Sequence, residues 1–140
     1  MKMRLYLSLG TNLGDKEQNL RRALELIGQR VGQVKACSTF IATEPWGFRS
    51  DNSFLNAACR VETSLTPLQV LEETQAIERE MGRTQKSSNG IYHDRLIDID
   101  LLMAFDADGR PIEVDSPRLK LPHPLMQERD FVMRPLQEIL

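Results

Sequence analysis

Two aspartates, Asp98 and Asp100, sit two residues apart in RLIDIDLLM (residues 95–103), a stretch otherwise rich in Leu and Ile. Side chains alternate along a β-strand, so both carboxylates share a face with Leu96 and Leu102, while Ile97, Ile99 and Leu101 share the other. Their Cα atoms would lie about 7 Å apart, close enough for the carboxylates to meet at a common cation. Like charges so placed repel unless something positive lies between them, and a few hard oxygen ligands suit Mg²⁺ completed by water and phosphate oxygens. A strand at a sheet edge with one wet face would show the same alternation without any metal. Three cations flank the pair: Arg83, Lys86 and Arg95. They could neutralise a phosphate chain. Alternatively, Lys86 belongs to a solvated loop and Arg83 caps the preceding helix.

Other residues suggest a flat ligand. Phe54 and Asn56 fall on one face of another apolar stretch, and Phe131 lies in the tail. An aromatic stacked on a heterocycle, beside an amide that donates and accepts, is what a purine-like or pterin-like ring requires; packing of both Phe in the core is the competing reading. His123 stands between prolines in LPHP, which places its side chain from a rigid backbone, although a lone His is as readily structural. No GxxxxGK[ST] occurs, which excludes a P-loop, and no nucleophile has a suitable base for covalent catalysis. Asp106-Ala-Asp108-Gly109 lacks the remaining ligands of a calcium loop and reads as a hairpin turn.

The elements that must position these groups follow from periodicity and punctuation. Residues 4–9 form a first strand running into the turn TNLG. Asp15 and Gln18 open a helix that stops between Gly28 and Gly32. Residues 34–43 and 54–63 are strands that can pair antiparallel across the turn-rich EPWGFRSDNS. Thr66, Pro67 and Gln69 announce a second helix, with Leu65 and Val70 as its hydrophobic staple, reaching about Met81. After the aspartate strand, FDADGRPIEV turns back at Asp108-Gly109, and the tail holds a turn and one or two short helices. The order β-α-β-β-α-β predicts a ferredoxin-like α+β sandwich with the helices on one face of an antiparallel sheet, and that fold alone implies no function.

With 140 residues, 41% hydrophobic and 27% charged, the chain reads as one globular domain, 1–140. The net charge of −2 gives no basic footprint, so no nucleic-acid partner is expected. No apolar run is long enough to span a membrane and the N-terminus is unlike a signal peptide, so a cytoplasmic location is expected. Cys37 and Cys59 both lie in apolar stretches, which predicts two buried thiols.

Taken together, SLGTNLGD, FIATEPWGF, FLNAA, IEREMGR, RLIDIDLL and LPHPLMQERDFVMRPL resemble the 6-hydroxymethyl-7,8-dihydropterin pyrophosphokinase family of folate synthesis, in order and over nearly the whole chain. The resemblance implies ATP-dependent transfer of diphosphate to the pterin hydroxymethyl group with release of AMP; separately, the chain is expected to be a monomer. By position, Asp98 and Asp100 look like the ligands of two Mg²⁺ ions. Phe54 and Phe131 would sandwich the pterin, Thr43 and Asn56 would bond its edge, and the backbone at Pro45 and Trp46 would help. Gln75, Glu78, Lys86, Tyr92, Arg118, His123 and Arg129 resemble the nucleotide contacts, and Arg83 and Arg95 the catalytic cations. Tyr92 and Pro124 stand where some members carry Trp and Tyr. Residues 84–94 are expected to form a lid that orders only when both substrates are bound, because the polar cluster Ser87, Ser88, Asn89 and Gly90 has little to bury when open. Another phosphoryl transferase, a ligand-sensing module and an RNA-binding domain of similar topology are the alternatives; the last lacks the glycine-aromatic RNP1 pattern.

Overall fold

The computed structural model describes residues 2–43, 53–82 and 96–140. In chain order these form β1 (Met3–Thr11), α1 (Lys16–Arg30), β2 (Gln33–Cys37), β3 (Ile41–Thr43), β4 (Phe54–Thr63), α2 (Pro67–Gly82), β5 (Asp98–Phe105), β6 (Pro111–Ile112), β7 (Val114–Asp115), β8 (Lys120–Leu121) and α3 (Asp130–Ile139). The main sheet runs β2-β4-β1-β5-β6, with β3 beside β4, and every pairing is antiparallel.

Both helix starts follow from their caps. The Asp15 carboxylate accepts from the Gln18 amide at 3.1 Å. Thr66 and Gln69 form a reciprocal box: the Thr66 hydroxyl accepts from the Gln69 amide at 3.2 Å, and the Gln69 side chain accepts from the Thr66 amide at 2.9 Å. Leu20, Ala23, Ile27, Val70 and Ile77 then bury one stripe of each helix against Leu5, Leu7, Leu9, Val61, Ile97, Ile99 and Leu101. Where α1 hands over to β2, a Cβ on Gly32 would come within 2.2 Å of the Glu62 carbonyl oxygen, so only glycine lets the chain pass so close.

The structure corrects four expectations. The helices are not confined to one face: α3 covers part of the opposite face, where Val132, Leu136 and Ile139 pack on Tyr6, Ala58 and Leu102. The strand expected over 34–43 is two strands. Ser38 uses its hydroxyl as well as its amide on Ala58, at 2.9 Å each, and the Glu138 carboxylate on α3 accepts from both the amide and the hydroxyl of Thr39, which pulls the chain out of the ladder. β5 begins at Asp98 rather than 95, and Leu96 lies beside Gly14 and Gly82 instead of sharing the aspartates' face. Cys37 is exposed, because it lies on edge strand β2, while its cross-strand partner Cys59 is fully buried.

The expected hairpin is present. Gly109 takes a positive φ of 82°, and the Asp106 carboxylate accepts from the amides of Asp108 and Arg110 at 2.9 Å each. That carboxylate is thereby committed to its own loop, as a turn requires. Next, β7 and β8 pair, and the His123 amide donates to the Leu102 carbonyl at 2.7 Å, tying the tail to β5.

Burial pushes the Cys59 thiol far above its ordinary range; partial burial and the charge of Glu138 raise Cys37 less far. Iodoacetamide near pH 8 should therefore label Cys37 alone and slowly, with Cys59 reacting only after denaturation. Mass spectrometry showing native labelling at Cys59 would contradict this packing.

Candidate active site

β1 lies between β4 and β5, and its register decides which side chains meet. Gly10 is opposite Asn56 on one side and Asp98 on the other; Ser8 is opposite Ala58 and Asp100. Directly opposed residues of antiparallel strands point to the same face. Phe54, Asn56, Gly10, Ser8, Asp98 and Asp100 thus share the face that α3 covers further along, with the strand spacing setting Asn56 and Asp98 roughly 10 Å apart at Cα. The β3–β4 register adds Thr43 opposite Phe54.

A third carboxylate joins from α2. Glu78 Oε2 accepts from the Ile99 amide at 2.7 Å, satisfying a donor on the open edge of β5. Burial first, then the charge of Asp98, push the Glu78 carboxyl up to about 8; the Ile99 hydrogen bond opposes them, and the Asp100 charge and a hydrogen bond with Asp98 add smaller upward pushes. In the metal-free protein Glu78 therefore holds its proton to higher pH than a free carboxyl does. Gln75, one turn earlier, is exposed.

Beside Asp100, a cleft of about 270 Å³ is lined by residues that include Leu71, Arg118, Lys120, His123 and Pro124. His123 Nδ1 accepts from the Leu125 amide at 3.1 Å. Burial and the Arg129 guanidinium lower its pKa, partly offset by Asp98, so the ring is neutral with its proton on Nε2. Arg129 also lies over the Phe131 ring, 5.8 Å from its centroid. Arg118 is 3.9 Å from Glu72, both of them well exposed.

The structure thus gathers Phe54, Asn56, Asp98 and Asp100 on one face, with Glu78 reaching in from α2, and brings Arg118 and His123 into the adjoining cleft. Phe131 is partly buried against the α3 cluster. Pro45, Trp46, Arg83, Lys86, Tyr92 and Arg95, and the 84–94 segment, lie outside the described residues, and of Thr43 only the backbone is described. Sequence reasoning missed two participants. Gly10 had a signal, a glycine inside an apolar strand; Lys120 had none, since only the folded tail brings it to the cleft.

Among the described residues no three Asp, Glu, His or Cys side chains form a ready metal cage. Two aspartates with a protonated neighbour nonetheless fit Mg²⁺, which takes one or two protein carboxylates and keeps its waters. The crowding that leaves Glu78 protonated is the repulsion a divalent cation would relieve.

The family model for 7,8-dihydro-6-hydroxymethylpterin-pyrophosphokinase matches residues 6–140. The chain belongs to this pterin pyrophosphokinase family. It is similar to the 2-amino-4-hydroxy-6-hydroxymethyldihydropteridine pyrophosphokinases of Porphyromonas gingivalis, at 52% identity over 96% of this chain and 89% of that one, and of Bacillus subtilis, at 40% over 96% and 76%. The Dictyostelium discoideum folic acid synthesis protein FOL1 is 38% identical over 96% of this chain and 19% of its own length. Among solved structures, a Plasmodium falciparum HPPK-DHPS superposes with a TM-score of 0.70 at 16% identity, over 98% of this chain and 40% of that one, a likeness of fold. Membership of the pterin pyrophosphokinase family carries pyrophosphokinase activity in folate biosynthesis.

The raised Glu78 pKa has a defined effect on the metal-free protein. Its folded value lies above its unfolded one, so its contribution to stability is complete below about pH 4.5 and is lost as pH rises through about 8. Glu78→Gln should flatten the fall in Tm between pH 5 and 8 that the wild type shows. Parallel Tm profiles for the two proteins would show that Glu78 ionises normally.

Proposed function

We propose that the chain transfers the β- and γ-phosphoryl groups of ATP together to the hydroxymethyl oxygen of 6-hydroxymethyl-7,8-dihydropterin. The pterin hydroxyl oxygen attacks the β-phosphorus and loses its proton to solvent, the bond from that phosphorus to the oxygen bridging to the α-phosphate breaks, and AMP leaves. The observation that carries this reading is the cross-strand row Asn56, Gly10, Asp98, with Asp100 opposite Ser8 in the next row of the same face, which sets an amide and a carboxylate pair on one rigid face. Reactants fixed on paired strands lose the entropy of encounter before the chemical step.

On this reading Phe54 and Phe131 stack the pterin, and Asn56 and Thr43 bond its edge beside the backbone of Pro45 and Trp46. Gln75, Glu78, Lys86, Tyr92, Arg118 and Arg129 hold the nucleotide. His123, neutral with its proton on Nε2, donates to a phosphate oxygen while its Nδ1 stays tied to the Leu125 amide. Arg83 and Arg95 carry the charge that gathers on the transferring group. Glu78, held by the Ile99 amide, keeps its carboxyl beside Asp98. Two Mg²⁺ ions on Asp98 and Asp100 would supply Lewis-acid charge at the phosphate oxygens. No covalent intermediate on the protein is required.

We infer further that the sheet is ferredoxin-like, which the order β2-β4-β1-β5 with α1 and α2 on one face supports. The chain acts as a single cytoplasmic domain and a monomer, without nucleic-acid or membrane partners. The family match over residues 6–140 supports the single domain.

An assay with ATP, Mg²⁺ and the pterin should release AMP in step with pterin consumed; ADP as the pterin-dependent product would overturn the reaction. Replacing Asp98 or Asp100 by Ala should lower turnover about a thousandfold or more with an unchanged circular dichroism spectrum. Activity within tenfold of wild type would remove the metal role. Phe131→Ala should weaken pterin binding by about 1–3 kcal/mol and leave the nucleotide unaffected, whereas equal losses for both ligands would make Phe131 a packing residue.

A further inference from the structure

We propose that Gly10 is a positioning residue for the pterin, keeping the β1 backbone bare so that the Asn56 amide can lie across it toward Asp98. The inference rests on the reading of Asn56 as a pterin contact. A glycine inside a strand gives up side-chain packing and β-propensity, and such positions often mark the close approach of a ligand or another group. Conformation does not explain this one. Among the described glycines only Gly14 and Gly109 take positive φ, and Gly10 sits in regular pairing with both neighbouring strands.

Space does explain it. A Cβ at Gly10 would lie 3.0 Å from Asn56 Nδ2, 3.6 Å from Phe54 Cδ1 and 3.9 Å from Phe54 Cε1. The two residues read as ring contacts therefore both rest over this one backbone position. By contrast, nothing lies within 4 Å of a Cβ at Gly28 or Gly109. A contact at 3.0 Å is tighter than nearly all real Cβ contacts, so the amide must move by a few tenths of an ångström. Asn56 is 2% exposed and has little room to do so without turning. Hydrogen bonds to the edge of a flat ring depend on donor direction and distance, so a displaced amide weakens ring recognition while leaving the carboxylate pair in place. Gly10 lies between Asn56 and Asp98 in register, which puts it beneath the path from ring to phosphate. No side chain of its own takes part.

A thermodynamic cycle with Asn56 separates this role from ordinary packing. Gly10→Ala should weaken pterin binding about tenfold, a loss of the size expected when one hydrogen bond is spoiled, while Mg²⁺-dependent binding of a non-hydrolysable ATP analogue stays within about twofold. Asn56→Ala alone should also weaken pterin binding. In the Asn56→Ala background, Gly10→Ala should cause no further loss beyond about twofold, because the atom it displaces is gone. The double variant should also recover the Tm lost in Gly10→Ala. If the single variant does not fold, the double variant, whose nearest remaining contact is Phe54 at 3.6 Å, should fold and match the pterin affinity of Asn56→Ala. Additive losses in the double variant, or a folded Gly10→Ala with wild-type pterin affinity, would overturn the inference alone. Asn56→Ala with undiminished pterin affinity would overturn the reading of Asn56 and the inference with it.

Discussion

The register of β1 against both its neighbours is the constraint on which the site depends. β1 pairs from Met3 to Thr11 with β4 and from Arg4 to Gly10 with β5. A slip of one residue would turn every side chain to the other face. Leu5, Leu7 and Leu9, all fully buried under α1 and α2, make such a slip of β1 prohibitive, because it would expose them and turn Tyr6 and Ser8 toward the helices. The helix-facing leucines thus hold the opposite face in place. The irregularity between Tyr6 and Leu7, where β5 carries one extra residue, turns both Leu102 and Met103 toward α3 and returns Ala104 to the helical side.

Electrostatics at the open edge of β5 follow from that placement. An unpaired strand edge presents amides that need acceptors, and Glu78 supplies one to Ile99. Doing so brings a third carboxyl beside two aspartates, and in that partly buried setting the group that gives up its charge is Glu78. His123 feels the opposite pressures of Arg129 and Asp98 and, because burial adds to the effect of Arg129, remains neutral. With Nδ1 accepting from the Leu125 amide, the ring presents Nε2–H as a fixed hydrogen-bond donor.

The C-terminal segment divides the face between cover and site. His123 is tied to Leu102, the Arg60 guanidinium reaches the Ile139 carbonyl at 3.5 Å, and Glu138 clasps Thr39 between β2 and β3. These contacts seat α3 over Tyr6 and Ala58 rather than over the Asn56–Asp98 end. The same clasp interrupts the strand expected over residues 34–43, so one carboxylate both ends β2 and anchors α3.

Sequence alone determined what depends on short-range pattern. The capping residues Asp15 and Thr66 located both long helices, Gly109 located the hairpin, and the alternation in IDIDL put Ile99 and Leu101 in the core with both aspartates on the other face. Motif order over nearly the whole chain was also enough to name the family. Tertiary structure decided what depends on contacts between residues far apart in the chain. The break at Ser38 comes from Glu138, 99 residues beyond Thr39; the raised pKa of Glu78 comes from β5; and the role proposed for Gly10 comes from Asn56, three strands later in sequence. No local propensity encodes these, because hydrogen-bond competition, charge crowding and the space above a backbone exist only after the sheet has set its register and the helices have closed on it.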